Sequence, residues 1–246
     1  MQTKNTIYPF LLLTLCLLVA GCSTTSRVPD DDKLFVGLEK IKYLDYEKNE
    51  HFVSTQEEVE MALASAPNGA LFGSSYYRTI PYRLWIWNAF SGSHSVVSKW
   101  ITKSFGKAPV LLSNVNPALR AKVAQGLLRD RGYFGASVNY TEKTLSNEKK
   151  AKVAYEVRLG QLHTVDTLVY TRFPAEAMAL IDSTSNEALV KPGDAFDVSA
   201  LDAERNRLST LFRNNGYYYY QPSFASYLAD TLNIPGEARL RLQMAE

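Results

Sequence analysis

The chain has almost no cysteine, and what it has is confined to one end. Cys16 and Cys22 are the only two, and both fall inside the leading segment, so nothing downstream can be stapled by a disulfide. Charge of one sign is also lacking. With 27 basic against 25 acidic residues the net charge is +2, which supplies no concentrated basic face and argues against nucleic acid as a partner. After the leader no apolar run reaches membrane-spanning length. The richest, Leu84 to Phe90, is far too short. The three histidines, His51, His94 and His163, are scattered without ligand spacing and read as surface or strand residues. No nucleophile elbow, zinc-protease or phosphate-loop pattern occurs. Asp30-Asp31-Asp32 lacks the alternating oxygens of a calcium loop, and Glu57-Glu58 sits where a helix start favours negative charge. A pair of distant carboxylates of the glycosidase kind leaves no local mark. The reading is a protein that is not an enzyme, with no catalytic residue, no metal and no cofactor.

What is present begins with an export signal. Lys4 gives a positive start, and Ile7 to Ala20 is apolar apart from Thr14. That length suits a signal peptide rather than a membrane span. Leu18-Val19-Ala20-Gly21-Cys22 closes the run and resembles the bacterial lipobox. The resemblance implies lipidation of Cys22, with residues 1–21 removed as a lipoprotein signal peptide. Residues 22–33 are polar and read as a solvated tether.

An internal repeat follows. Leu127-Leu128-Arg129-Asp130-Arg131-Gly132-Tyr133-Phe134 aligns with Leu211-Phe212-Arg213-Asn214-Asn215-Gly216-Tyr217-Tyr218. A helical pattern precedes each block. Asn116 caps the first, with Leu119, Val123 and Leu127 as its stripe and Leu128 beside them. Ser199 with Asp202 caps the second, with Leu201, Leu208, Leu211 and Phe212 as its stripe. Both helices end at a glycine suited to left-handed backbone, Gly132 and Gly216. Aromatic strands follow, over 133–141 and 217–227. Polar turns come next, then clean alternations: Val153, Tyr155, Val157 and Leu159 on one dry face, and Ala238, Leu240, Leu242 and Met244 on the other.

The start of each repeat completes the unit. In the second, His163 to Tyr170 reads as a strand and Pro174 to Ile181 as a short helix. In the first, Phe35 to Tyr46 supplies the strand. Ser54 with Glu57 opens a helix striped by Val59, Ala62, Leu63 and Ala66. The expected fold is α+β: two tandem β-α-α-β-β domains, each a three-stranded sheet with two helices on one face. Domain 1 covers 34–160 with an insert near 70–110, and domain 2 covers 161–246.

A β-α-α-β-β unit of this size, with helix-Gly-Tyr-(Phe/Tyr) leading into an aromatic strand, resembles the POTRA domain of the BamA/TamA (Omp85) family. The lipobox and Gly106-Lys107-Ala108-Pro109-Val110 are similar to the lipidated TamA-like branch of Bacteroidota. The resemblance implies a periplasmic polypeptide-binding module of an outer-membrane assembly or translocation factor. It implies unfolded outer-membrane clients or periplasmic partner proteins, and a barrel domain absent from this chain. The alternatives are a surface lipoprotein interaction module, or a fragment lacking its C-terminal barrel.

A three-stranded sheet leaves edge strands with unpaired amides and carbonyls, to which an extended peptide can add. If the fold follows that family, Tyr133, Phe134 and Tyr140 line one edge, and Tyr217, Tyr218, Tyr219 and Tyr220 the other, with alternate rings packing on the helices instead. The insert is rich in aromatics interleaved with Arg78, Arg83, Lys99 and Lys103. Trp85, Trp87, Trp100 and Arg83 there fit a partner contact or a membrane interface, or simply a cover for the enlarged first sheet.

Overall fold

The computed structural model describes residues 24–245, so Cys16, Cys22 and the export signal lie outside it. Seven strands and seven α-helices are described. They are β1 (Leu34–Leu38), β2 (Lys42–Leu44), α1 (Glu50–Leu63), α2 (Tyr82–Phe90), α3 (Val96–Phe105), α4 (Leu112–Val115), α5 (Pro117–Asp130), β3 (Ser137–Thr144), β4 (Lys150–Arg158), β5 (Thr164–Thr171), α6 (Ala175–Ser183), α7 (Val198–Asn214), β6 (Ala225–Asp230) and β7 (Glu237–Met244). The second repeat is β-α-α-β-β in chain order. The first has the same parts, with α2–α4 inserted and its opening strand broken in two.

The sheets explain the alternations. β7 is the middle strand of three, parallel to β5 and antiparallel to β6. A middle strand buries one whole face, and Ala238, Leu240 and Leu242 are 2 % exposed or less. They pack with Leu201, Leu208 and Phe212 of α7 and Ile181 of α6, so both helices cover that face. β4 plays the same part in the first sheet, with Val153, Tyr155, Val157 and Leu159 buried. It pairs with β1 in parallel, and with β2 and β3. β2 continues the line of β1. Glu39 donates to Val153, and farther along β4 Leu159 donates to Leu44. The expected strand over 35–46 is thus one line interrupted at residues 39–41.

Contacts gather the chain into two compact units. Among the described residues, one holds 24–42, 60–121 and 139–156, and the other 43–59, 122–138 and 157–245. In the first, Val28, Leu34, Val36 and Leu84 form a core cluster. Val28 is therefore not part of a solvated tether but a buried residue. Asp32 is fixed as well, accepting from the Ser113 hydroxyl at 2.5 Å. The second unit centres on the β7 face with α6 and α7.

Helix starts depart from the sequence reading at two of three places. Asn116 does cap α5, accepting from the Leu119 amide at 3.1 Å. α1 begins a turn earlier than expected, capped by Asn49 through the Phe52 amide at 2.7 Å, which leaves Ser54 inside the helix. Asp197, not Ser199, caps α7, accepting from the Ser199 amide at 2.7 Å, and Asp202 instead pairs with Arg205. In each case a better-placed Asx side chain lay just upstream. The α5 stripe is also shifted. Leu119 and Val123 are exposed, while Ala121, Ala124 and Leu128 are buried.

The helix ends match each other. Gly132 and Gly216 both have positive φ, 87° and 99°. The amide after each reaches back five residues, Tyr133 to Leu128 at 2.9 Å and Tyr217 to Phe212 at 3.0 Å. That is the Schellman closure, which satisfies a carbonyl the helix leaves open.

Candidate functional site

A sheet edge is a binding element only where its amides and carbonyls remain free. The outer side of β1 is occupied by the chain's own insert. Phe35 donates to Val110 and Leu38 to Ser75, each at 2.8 Å, and Leu34 bridges Leu111. Gly37 makes room for this strap. At φ 123° it sits where L side chains are strained, and a Cβ there would lie 2.8 Å from the Ser75 carbonyl oxygen. The first residues of β5 are closed in the same manner, by Val165 donating to Asp194 and Thr164 bridging Ala195.

β6 and β3 differ. β6 pairs with β7 along its whole length, from Ala225↔Met244 to Asp230↔Arg239. Among the described residues no strand or bridge occupies its other side. β3 pairs with β4, again on one side only among the described residues. These two strands hold equivalent places in the two repeats. Asp230 accepts from Leu232 and Asn233 at the end of β6, and these bonds hold its carboxyl below the usual range.

The tyrosines do not line these edges as expected. Tyr133 and Phe134 precede β3, which starts at Ser137. Tyr133 is buried against His51, and burial raises its phenol pKa. Phe134 stacks edge-on against His163 and Phe196, with ring centroids 4.9 Å from each. His51 is likewise not a plain surface residue, since its Nε2 lies 2.8 Å from the Arg131 carbonyl oxygen. Tyr140 alone of that group lies in β3, with its side chain exposed. Tyr217 to Tyr220 precede β6. Tyr217 and Tyr220 pack on Phe212, and burial raises the Tyr220 phenol pKa. Tyr218 and Tyr219 stand in solvent, 74 % and 91 % exposed. The helix-ending glycine starts a turn, and the chain spends that turn before it becomes extended.

Within the insert, Leu84 and Asn88 are the buried side of α2. Trp85 and Trp87 are half-buried, and the Trp85 indole N–H is enclosed without a partner. Trp100 is exposed on α3 and meets Phe105 edge to face at 5.6 Å. Arg83 joins the two helices, donating from Nε to the Phe105 carbonyl at 3.3 Å while its own carbonyl accepts from Lys107. Trp100 is therefore open to solvent, whereas Arg83 is tied to the hairpin.

No protein-family profile matches the chain, and neither does any curated protein. Solved structures do. Several of those structures are POTRA segments. One is BamA from Haemophilus ducreyi lacking POTRA domains 1–3, at 16 % identity and TM-score 0.38, covering 65 % of this chain and 27 % of that one. Another is POTRA1–2 of Omp85 from Anabaena, at 8 % identity and TM-score 0.38, covering 87 % and 97 %. A third is POTRA3–5 of Haemophilus influenzae BamA, at 11 % identity and TM-score 0.34, covering 89 % and 100 %. The chain spans about a quarter of the Haemophilus ducreyi protein's length. In this chain the second sheet has the strand order β5-β7-β6 with two helices on one face.

The open face of the second sheet holds residues that the sequence reading passed over. Thr167, Val169, Leu228, Arg239 and Arg241 line one shallow hollow across β5, β7 and β6. Val169 and Leu228 are half exposed. Asp166 accepts from Arg239 at 2.8 Å. Leu228 alternates with Tyr227, whose phenol burial pushes well up in pKa, so the strand period was legible even though its start was not. Among the described residues no cluster of metal-ligating side chains occurs, and no helix is long and apolar enough to cross a membrane.

Proposed function

We propose that this chain is a lipid-anchored periplasmic module that receives extended polypeptides by strand addition, as part of outer-membrane protein assembly. The observation that carries the reading is selective closure. The outer side of β1 and the start of β5 are covered by the chain's own segments, while among the described residues no strand or bridge covers the other side of β6 or β3. Natural sheets cover exposed edges to avoid unwanted pairing, so an edge left open beside a covered one is a place kept for pairing. Main-chain bonds give affinity with little demand on sequence, which suits many unfolded clients. Tyr140 on β3 and Leu228 on β6 supply apolar contacts beside the backbone.

The anchor reading stands on Leu18 to Cys22, and the absence of any other cysteine downstream leaves Cys22 as the acyl acceptor. The POTRA-like repeats support a place beside an outer-membrane barrel. Clients are unfolded barrel strands, whose alternating apolar and polar residues match an edge with one dry and one wet side.

The test uses the full chain and labelled peptides copied from barrel strands, read by fluorescence anisotropy. Strand addition predicts saturable binding. Backbone N-methylation at alternate residues removes it, because the donors are main-chain amides. Equal binding by methylated peptides, or none by either, overturns the reading.

A further inference from the structure

We infer that the insert between α1 and α5 is a second membrane contact, docking on an anionic lipid surface beside the acyl anchor. The charge pattern is the first ground. No aspartate or glutamate occurs from residue 61 to residue 129, while residues 70–110 carry Arg78, Arg83, Lys99, Lys103 and Lys107. In a chain whose totals nearly balance, that is a segregated cationic segment. Anionic headgroups attract such a segment, and each basic residue near the surface adds to the attraction.

The second ground is what stands between those charges. Phe72 is 101 % exposed and is held at φ 49°, a left-handed backbone that a bulky residue rarely adopts. Ile80, Tyr82, Val96, Val97 and Trp100 are all more than 60 % exposed or at that value. On α3, Val97, Trp100, Ile101 and Phe105 share one face, with Lys99 and Lys103 beside it. An amphipathic helix with aromatic and cationic residues together is the form that lies in a headgroup layer. A cover for the first sheet would have turned these side chains inward, yet α2 buries only Leu84 and Asn88 and α3 buries none.

The third ground is reach. The Arg27 guanidinium fills the space where a side chain at Gly92 would stand, in the turn between α2 and α3. Val28 is buried with Leu84. Cys22 is five residues before Arg27. An extended chain of that length spans at most about 18 Å. An acylated Cys22 therefore holds the hairpin turn within that distance of the bilayer. This ground rests on the anchor reading above. The charge pattern and the exposed rings do not.

All three tryptophans of the chain, Trp85, Trp87 and Trp100, lie in the insert, so intrinsic tryptophan emission reports on it alone. The full chain is placed in vesicles of phosphatidylcholine, with or without phosphatidylglycerol, and with brominated acyl chains as quencher. Membrane docking predicts a blue shift and quenching that grow with the anionic fraction. Lys99→Gln with Lys103→Gln weakens docking by about 30-fold, the factor for two lost surface charges. Far-UV circular dichroism of that variant checks its fold, and Val97→Ser, which keeps both charges, lowers quenching by a second route. Emission that ignores the vesicles overturns the inference. So does emission equal in both lipids, or a surface found shielded by a bound protein. Mass spectrometry of Cys22 reads the anchor separately, so an unlipidated chain that still responds to anionic vesicles sinks the anchor and keeps the docking surface.

Discussion

Arg131 Nη1 lies 2.5 Å from Asp197 Oδ2, joining the end of α5 to the cap of α7. The same guanidinium donates to Glu58 of α1. Burial works against the Arg131 charge, but Glu58 and Asp197 outweigh it and raise its pKa. All three residues belong to the second compact unit. Arg131→Met leaves two part-buried carboxylates facing each other. The expected loss is about 2–4 kcal/mol, near that of a broken buried pair. Urea unfolding checks it. An unchanged midpoint would show the triad to be a surface arrangement of little consequence.

Glu204 is the residue that the helical stripe of α7 hid. It is fully buried, yet its carboxylate accepts from Arg207 at 2.9 and 2.7 Å, from the Tyr170 hydroxyl at 3.0 Å and from the Leu189 amide at 2.9 Å. Glu204→Ala strands the guanidinium, the hydroxyl and the amide at once, so a loss of about 3–5 kcal/mol is expected. Thermal unfolding reads it. Arg207→Met is the informative companion, because it leaves the charge buried and should cost about as much.

What the sequence made legible follows from how local each cause is. The dry faces of β4 and β7 were readable because a middle strand alternates strictly, and the helix-ending glycines because glycine takes that backbone at least cost. Strand starts were not. Tyr133, Phe134 and Tyr217 to Tyr220 carry strong strand propensity, but they sit in the turn that Gly132 and Gly216 open. The α5 face was missed by one position, because Ala121 and Ala124 bury a small surface while larger Leu119 and Val123 draw attention. Glu204 was invisible because its partners come from β5, from the loop ahead of Leu189 and from Arg207 on its own helix. Which edges stay open was equally hidden, since the straps over β1 and β5 are long-range pairings.

The two helix-ending glycines separate two costs of substitution. At Gly132 a Cβ would lie 2.8 Å from the Phe196 carbonyl oxygen and 3.2 Å from that of His163, both backbone. At Gly216 it meets nothing. Gly216→Ala should therefore lose only the conformational cost of a left-handed residue, about 1 kcal/mol. Gly132→Ala should lose about 2 kcal/mol more than that, because two backbone segments must move to admit the methyl group. Parallel chemical denaturation of the two variants decides it, and equal losses would mean that the loop carrying Phe196 yields freely.

Tyr155 gives the pH dependence. Its ring is 2 % exposed and its hydroxyl has no hydrogen-bond partner. Burial, against a smaller opposing pull from Arg120, pushes its pKa up to about 12 from 10. The folded state thus keeps the phenol proton more tightly than the unfolded chain does. The stabilisation is complete below pH 10 and disappears as pH rises from 10 toward 12. Two units correspond to roughly 3 kcal/mol. Tyr155→Phe removes this titrating group without removing a hydrogen bond, so its stability at pH 7 should match the parent or exceed it slightly. Its unfolding free energy should then fall less between pH 10 and 12 than the parent's. Tyr170 and Tyr227, also raised by burial, keep titrating in both proteins, so some alkaline loss remains in the variant. Urea midpoints measured at pH 8, 10 and 11 give the difference, and identical slopes in the two proteins would mean that water reaches the Tyr155 hydroxyl.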